Sequence, residues 1–531
     1  MMRVCVLCLA LAAYAAPALG AAGPFTGVSE PPPIDADRMP AAQLARIQDR
    51  MRAFAVGSPG RPSPAADVII PYSFVPIAGN LWDDVYINNY VDLDPTSGVK
   101  DFMCGSWTYD GHRGHDIDLR GFPYMDAAVP VFAALDGTVA DAHDGEFDRI
   151  VGGLGSIPAD ASPNYVSLFH GGTQYSLYLH LRKGSVAVKI GDTVKAGQQI
   201  GLAGSSGFSS APHLHFESQI AGAVFEPNAG DCRAGASNWV SQPTVRKDLY
   251  LAEFVVSDAI LDNYNSALFG WPRSGSFTQG SHRVTVWFEP RNLPAGATWQ
   301  VMYYRPDGTH AFDSPTYSFD NPAYRDLAFY WIGYDVNLNV LGTWKVELYL
   351  NGALMATGPF TVAADMAHVV NRPPNPITVA LDPVAPLHSD VVFCRVTSGL
   401  LLNDPDYDIV RYHYLWKVNG ATVRDITHAG RADAVPHDTA TAGQTLSCTV
   451  TPTDGRADGA PVTVQAVIPG SAAGDVDGNG MFDAADVAAA LRIGLGGSAA
   501  SPEAIQRSGA SVGGRLTSQS AVILMRRLMG L

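Results

Sequence analysis

Positive charge is scarce in this chain, and nowhere does it gather into a cluster. Lys and Arg number 35 against 51 Asp and Glu, a formal net charge of -16 over 531 residues. Such a chain offers a phosphate backbone nothing to pair with, so nucleic acid is not an expected partner. Charge of either sign is sparse, at 16% of residues, while 53 Gly and 37 Pro punctuate the sequence. That balance favours many short strands and turns over long helices. Long apolar runs are missing too. No stretch beyond the N-terminus approaches the roughly 18 residues of a spanning helix. Cysteine is limited to six residues, of which Cys5 and Cys8 lie at the extreme N-terminus.

The first residues hold one Arg, then a short apolar run, then Ala18-Leu19-Gly20. This reads as an export signal over 1–20, cleaved near Gly20-Ala21. An uncleaved anchor is the alternative. Neither Cys5 nor Cys8 follows a lipoprotein cleavage site. Four cysteines remain after cleavage, and an even count in an exported chain suggests two disulfides. Of the three pairings, domain boundaries favour Cys104 with Cys232 and Cys394 with Cys448; free buried thiols are the alternative.

The length suggests about three or four domains. Residues 21–66 are Pro- and Ala-rich, with one short helix expected from Met39 to Phe54, and read as a linker or pro-segment. Residues 67–245 form the first compact domain. Residues 246–366 alternate with period two in Leu249–Val256, Arg283–Phe288, Trp299–Tyr304 and Trp344–Leu350, as in a β-sandwich. The Pro-rich segment 367–375 reads as a linker. Residues 376–469 place Trp416 between Cys394 and Cys448, the order of an immunoglobulin-like sandwich. There Asp404-Pro-Asp-Tyr-Asp reads as a solvated turn, with a calcium loop as the alternative.

The chemistry is concentrated in four stretches. In Pro212-His213-Leu-His215-Phe-Glu217, strand periodicity puts His213 and His215 on one face. Two adjacent imidazoles are costly to bury without a metal or polar partner. Gly111-His112-Arg-Gly-His115-Asp116 adds a nitrogen and a carboxylate. Two His and one carboxylate make a tripod used for catalytic zinc, with a position left open for water. The other stretches are Tyr178-Leu-His180-Leu181 and Ile190-Gly-Asp-Thr-Val-Lys-Ala-Gly-Gln-Gln-Ile-Gly.

Together, and in this order, the four stretches resemble the M23 peptidases, the lysostaphin and LytM-like zinc endopeptidases. Those show His-x-Gly-x-Asp, Tyr-x-His-Leu, Val-Gly-Asp-x-Val-x-x-Gly-Gln-x-Ile-Gly and Pro-His-Leu-His-Phe-Glu. The resemblance implies an antiparallel β catalytic domain in which His112, Asp116 and His215 bind one Zn²⁺. It places His180 and His213 beside the metal as joint proton-transfer and oxyanion-stabilising residues. It also implies peptidoglycan peptide as substrate. His115 and Asp118 fall outside the ligand spacing, His170 reads as a turn residue, and Glu217 as a hydrogen-bonding neighbour of the ligands.

From Gly474 the chain becomes Ala-rich. Asp475, Asp477, Asn479, Asp483 and Asp486 occupy positions 1, 3, 5, 9 and 12 of an EF-hand-like loop, with Gly480 at the sharp turn. The segment 470–531 resembles a dockerin type I repeat, implying one structural Ca²⁺ and a cohesin-like or cell-surface partner. A second copy, 34 residues on, has lost its carboxylates. The expected whole is mainly β and multidomain: an M23-like domain, two β-sandwich modules and a small α-helical module. Its expected function is an exported zinc metalloendopeptidase, retained in the periplasm or cell envelope or released, acting on peptidoglycan. The alternatives are a secreted protease of Gly-rich proteins and a non-catalytic wall-binding protein.

Overall fold

The computed structural model describes residues 25–29, 41–56, 69–149, 161–259, 270, 272–318, 329–399, 401–469, 476, 484–496, 504 and 515–528. The expected signal (1–20) and four of the five expected calcium ligands, Asp475, Asp477, Asn479 and Asp483, lie outside these residues.

A short strand, β1 (Phe25–Ser29), and helix α1 (Ala41–Val56) come first. Next are β2 (Tyr86–Asn89), β3 (His115–Asp118), β4 (Pro130–Phe132), β5 (Gly137–His143), β6 (Tyr165–Phe169) and β7 (Gln174–Leu179). Then follow β8 (Thr193–Val194), β9 (Gln199–Leu202), β10 (His213–Ile220) and β11 (Ala223–Val224). The main sheet runs β2-β3-β10-β7-β6-β5-β8, with β11 on β10 and a separate β4–β9 pair. Every pairing in it is antiparallel. The β6–β7 turn is tight because Gly171 and Gly172 take φ of 99° and 55°, a region costly for residues with a Cβ.

Register decides which side chains share a face. His215 stands opposite both Asp116 on β3 and Leu179 on β7, and Glu217 stands opposite Leu177. Leu214, Phe216 and Tyr178 therefore point the other way, into the main core with Ile117, Val166 and Leu168. α1 covers the first face. Its Ile47, Met51 and Phe54, at i, i+4 and i+7, form one stripe. That stripe packs on Ala140, Tyr165, Phe169, Tyr175, Leu177 and Leu179. Arg50 adds a contact to Asp141 at 3.4 Å.

Residues 250–363, together with β1, supply two further sheets. One is four-stranded, in the order β1, Phe329–Leu338, Gly280–Arg291, Tyr250–Ser257; the other has six strands and includes Thr298–Tyr304 and Gly342–Leu350. Their apolar faces join the same core as the main sheet. Buried polar contacts fasten the two together. The Tyr86 hydroxyl donates to Glu289 at 3.1 Å, Glu289 pairs with Arg291 at 2.5 Å, and Tyr124 donates to Glu253 at 2.7 Å.

Residues 379–467 form three- and four-stranded sheets joined by the Cys394–Cys448 disulfide. Trp416 is fully buried opposite Cys448. Cys104–Cys232 is the other disulfide. At the C-terminus, helices Ala484–Gly494 and Ser518–Leu528 share a small core with Val476, Val487, Ala490 and Leu524. Among the described residues, no helix is long and apolar enough to cross a membrane.

The sheets of residues 379–467 rest on the main-sheet domain. Arg431 is buried, and its N–H donates to Asp84 at 2.7 Å; Phe393 packs against Phe74 and Phe132. At the rim, His437 bridges Asp136 of the main-sheet domain (2.7 Å) and Asp438 (2.8 Å). The hydrogen bond to Asp136, aided by Asp438, raises its pKa against the effect of burial. A raised pKa means that folding favours the charged imidazole. The contribution is therefore full below its unfolded value of about 6.5 and is lost as pH rises through the folded value. The His437→Gln variant is expected to flatten that interval of the stability–pH profile, read by thermal denaturation between pH 5 and 9.

Candidate metal centre

The site is assembled from two neighbouring strands and the loops at their ends. His112 precedes β3. Its Nδ1 lies 2.7 Å from the Tyr90 carbonyl, which can only accept, so Nδ1 carries the proton and Nε2 presents a lone pair. That Nε2 lies 3.0 Å from Asp116 Oδ2 and 3.3 Å from His215 Nδ1. Asp116 Oδ1 lies 2.8 Å from His215 Nδ1. His112, Asp116 and His215 are all buried, and their donor atoms lie within 4.8 Å of one another. Two imidazole nitrogens and a carboxylate oxygen suit zinc.

Two more imidazoles line the same place. Alternation along β7 would send His180 to the Tyr178 side. Instead the chain turns at His180, with φ of 61°, and its ring comes to 4.6 Å from His213 and 5.9 Å from His215, centroid to centroid. A non-glycine residue held in this region is a form of strain that gathers at functional sites. His180 Nδ1 donates to the Ser206 carbonyl at 2.7 Å, and His213 Nδ1 to that of Ala211 at 2.8 Å. Both rings therefore carry an unprotonated Nε2 when neutral. His213 Nε2 is buried without a hydrogen-bond partner, 3.6 Å from Asp116 Oδ1. A buried nitrogen of this kind fits a site built to receive a metal-centred group.

Electrostatics follow from the crowding. Burial, and then the charges of His213 and His215, hold the His180 pKa well below its ordinary value. Burial works against His215 too, but hydrogen bonds and charge from Asp116 and Glu217 raise it to about 9. Burial would raise Asp116, yet His112 and His213 hold it well below the usual carboxylate range. The proton that His215 keeps beside Asp116 is the one a metal would displace.

Glu217 is the hydrogen-bonding neighbour its motif position implies, but several partnerships around the site are not written in the motifs. Asn89, at the end of β2, donates to Asp116 Oδ2 at 3.2 Å. Arg113 grips Glu217 through two hydrogen bonds of 3.2 and 2.9 Å, and Glu217 lies 3.7 Å from His215 Nε2. His115 is buried on the other side of β3 and bonds Glu226 at 2.9 Å. His170 stands directly before the β6–β7 turn and is buried, between the Asp136 carbonyl and Ser176 Oγ. The Arg113–Glu217 and His115–Glu226 contacts join residues more than 100 apart in sequence and carry no local signal.

Gly114 is the glycine of His-x-Gly-x-Asp, and packing explains it. A Cβ there would lie 2.7 Å from both His215 Nε2 and the Phe216 carbonyl oxygen. The Gly114→Ala variant is expected to push the His215 ring aside at a cost of about 1–3 kcal/mol. Metal content after dialysis and the melting temperature should both fall.

Comparison with known proteins places these residues in a family. Residues 110–227 match Peptidase family M23. The peptidoglycan DD-endopeptidase ShyA of Vibrio cholerae is 32% identical over 123 residues, 22% of this chain and 25% of that protein. An uncharacterized metalloprotease of Haemophilus influenzae is 34% identical over 116 residues, 22% of this chain and 20% of that protein. This chain thus spans a quarter or less of these relatives' own length. The catalytic domain of lysostaphin from Staphylococcus simulans aligns with a TM-score of 0.18 and 26% identity, over 26% of this chain and 85% of that one. Residues 110–227, which carry His112, Asp116, His180, His213 and His215, are a peptidase family M23 domain.

Proposed function

We propose that the chain is an exported zinc metalloendopeptidase that cleaves peptide bonds in the cross-links or stem peptides of peptidoglycan. The observation that supports this most is the convergence of His112, Asp116 and His215 with two further imidazoles, His180 and His213. Zinc held by His112, Asp116 and His215 would supply a Lewis acid for the scissile carbonyl and a water that ionises near neutral pH. His180 is kept neutral by burial and by its charged neighbours, so its Nε2 accepts the water's proton. His213 presents the second Nε2, which when protonated donates to the developing oxyanion or to the leaving amine. The Tyr90, Ser206 and Ala211 carbonyls fix the three rings in the tautomers these tasks need.

Relatives that act on peptidoglycan or on glycyl-glycine bonds support the substrate class. We further propose that α1 restricts access, because it lies on the face that carries His215 and Glu217. For the C-terminal segment we propose a dockerin-like module holding calcium through Asp475, Asp477, Asn479, Asp483 and Asp486. In its support, Asp486 Oδ1 accepts the Val476 N–H at 2.7 Å, drawing the loop's start against the helix that follows.

The test is mass spectrometry of products from purified peptidoglycan incubated with the zinc-loaded protein. New peptide fragments are expected, and their masses name the bond. No fragments, with zinc bound and residues 21–66 removed, would overturn the wall-lytic reading in favour of another protein substrate or a binding role.

A further inference from the structure

Part of the metal centre is held by a strand outside the four sequence stretches. β2 stands at the end of the main sheet and pairs with β3, which carries Asp116. Tyr86 lies opposite Asp118, and Ile87 opposite Ile117. Regular alternation would next set Asn88 opposite Asp116. The register instead shifts by one residue, and Asn89 takes that place. Bulges of this kind re-aim a side chain, and they are over-represented beside active sites. The two residues that follow the shift each hold one ligand. Asn89 Nδ2 donates to Asp116 Oδ2 at 3.2 Å. The Tyr90 carbonyl accepts the His112 Nδ1 proton at 2.7 Å and the Thr108 hydroxyl at 2.7 Å, while the Tyr90 N–H is bound to the Trp107 carbonyl at 2.8 Å. Tyr90 acts through its backbone, which any residue supplies. Asn89 acts through its side chain, so the identity of that residue matters.

Two features set this amide apart from an ordinary polar residue of the core. Asn89 is 3% exposed, and its Oδ1 is buried without a hydrogen-bond partner. A buried acceptor left unmet is costly, so an amide kept for the fold alone would be satisfied at both ends. This one is satisfied at the end that faces Asp116. The second feature is what stays on Asp116 when metal is bound. The contacts from His112 (3.0 Å), His213 (3.6 Å) and His215 (2.8 Å) all come from imidazoles of the site itself. The proton that His215 Nδ1 shares with Asp116 Oδ1 is released on metal binding. The Asn89 N–H is a donor that persists. A partner of this kind orients a ligating group and holds it in place.

We propose that Asn89 is a positioning residue of the metal centre: its amide N–H fixes the rotation of the Asp116 carboxylate, and the register shift in β2 is what brings it there. This rests on the zinc reading of the site given above. Asn89 touches neither the reacting atoms nor the proton-transfer imidazoles His180 and His213. It sets how firmly metal is held, while the movement of the water's proton is left to those imidazoles.

Zinc affinity tests this. The full chain is stripped of metal and titrated with zinc against a chelator of known affinity, with folding checked by circular dichroism. Asn89→Leu fills a similar volume without the donor, and it is expected to weaken zinc binding about 10–100-fold. Asn89→Ala should do the same. In both variants kcat at saturating zinc should fall by less than the affinity does. Asn88→Ala alters the neighbouring residue of the shift without touching the hydrogen bond, and it should bind zinc as the wild type does. Unchanged zinc affinity in the two Asn89 variants would overturn the proposal. An equal loss in Asn88→Ala would overturn it too, because the backbone of the shift and not the N–H would then be responsible. A wild-type chain that takes up no zinc would overturn the metal centre and this proposal with it, an outcome distinct from the other two.

Discussion

Replacing His180 with Ala is expected to lower kcat on peptidoglycan peptides by about 10²–10⁴-fold while leaving bound zinc unchanged. The separation of the two readouts follows from geometry. His180 is outside the group whose donor atoms converge within 4.8 Å, and its Nδ1 is occupied by the Ser206 carbonyl. On the proposed roles, its removal takes away the proton acceptor and leaves His112, Asp116 and His215 in place. Its neutrality arises from burial and from His213 and His215, so no exposed residue can readily replace it. The measurement is metal content by atomic emission beside initial rates on a defined peptide. Loss of zinc in His180→Ala would make it a structural support of the ligands. Unchanged kcat would move the proton acceptor's task to His213, whose Nε2 is the other imidazole nitrogen presented to the site.

Undocking α1 should act in the opposite direction. Ile47 and Met51 are 3% and 4% exposed. Burying each is worth about 1.5–3 kcal/mol, so Ile47→Asp/Met51→Asp removes most of what holds the helix down. If α1 lies where substrate must, apparent affinity is reduced by the fraction of molecules that are closed. The double variant should then raise kcat/KM on polymeric peptidoglycan by about 10–100-fold, with a smaller change for a short peptide that needs less of the sheet face. Limited proteolysis within 41–56 reports whether the helix has been released. Released helix with unchanged kcat/KM would mean that substrate enters from the β3 side, away from β5–β7.

How much of this was legible beforehand depends on the range of the interaction. The His213/His215 pair, Asp116 four residues after His112, and the glycine between them are local patterns, readable because strand periodicity and close packing act over a few residues. The amphipathic stripe of α1 was similarly readable: the helix expected over 39–54 spans Ala41–Val56. Its docking surface was not. A stripe of Ile47, Met51 and Phe54 says that one side is buried, not against what. Asn89 gives no warning either, since its donation to Asp116 depends on β2 pairing with β3, and the irregularity between Ile87 and Asn89 sets that register. Nor does a segment read as a linker announce that Asn371 and Arg372 are held by Asp454 and Asp406.

The sequence by itself determined the chemistry on offer: two imidazoles and a carboxylate for a metal, two spare imidazoles, paired cysteines and a predominantly β chain. Those are properties of residue type and short spacing. Tertiary structure alone decided which atoms meet. The pairing of His215 with Asp116, the turn that swings His180 to the metal side, and the helix laid over that same side all depend on strand register and module docking. These are set by burial summed over residues far apart in the chain, and no local window contains that sum.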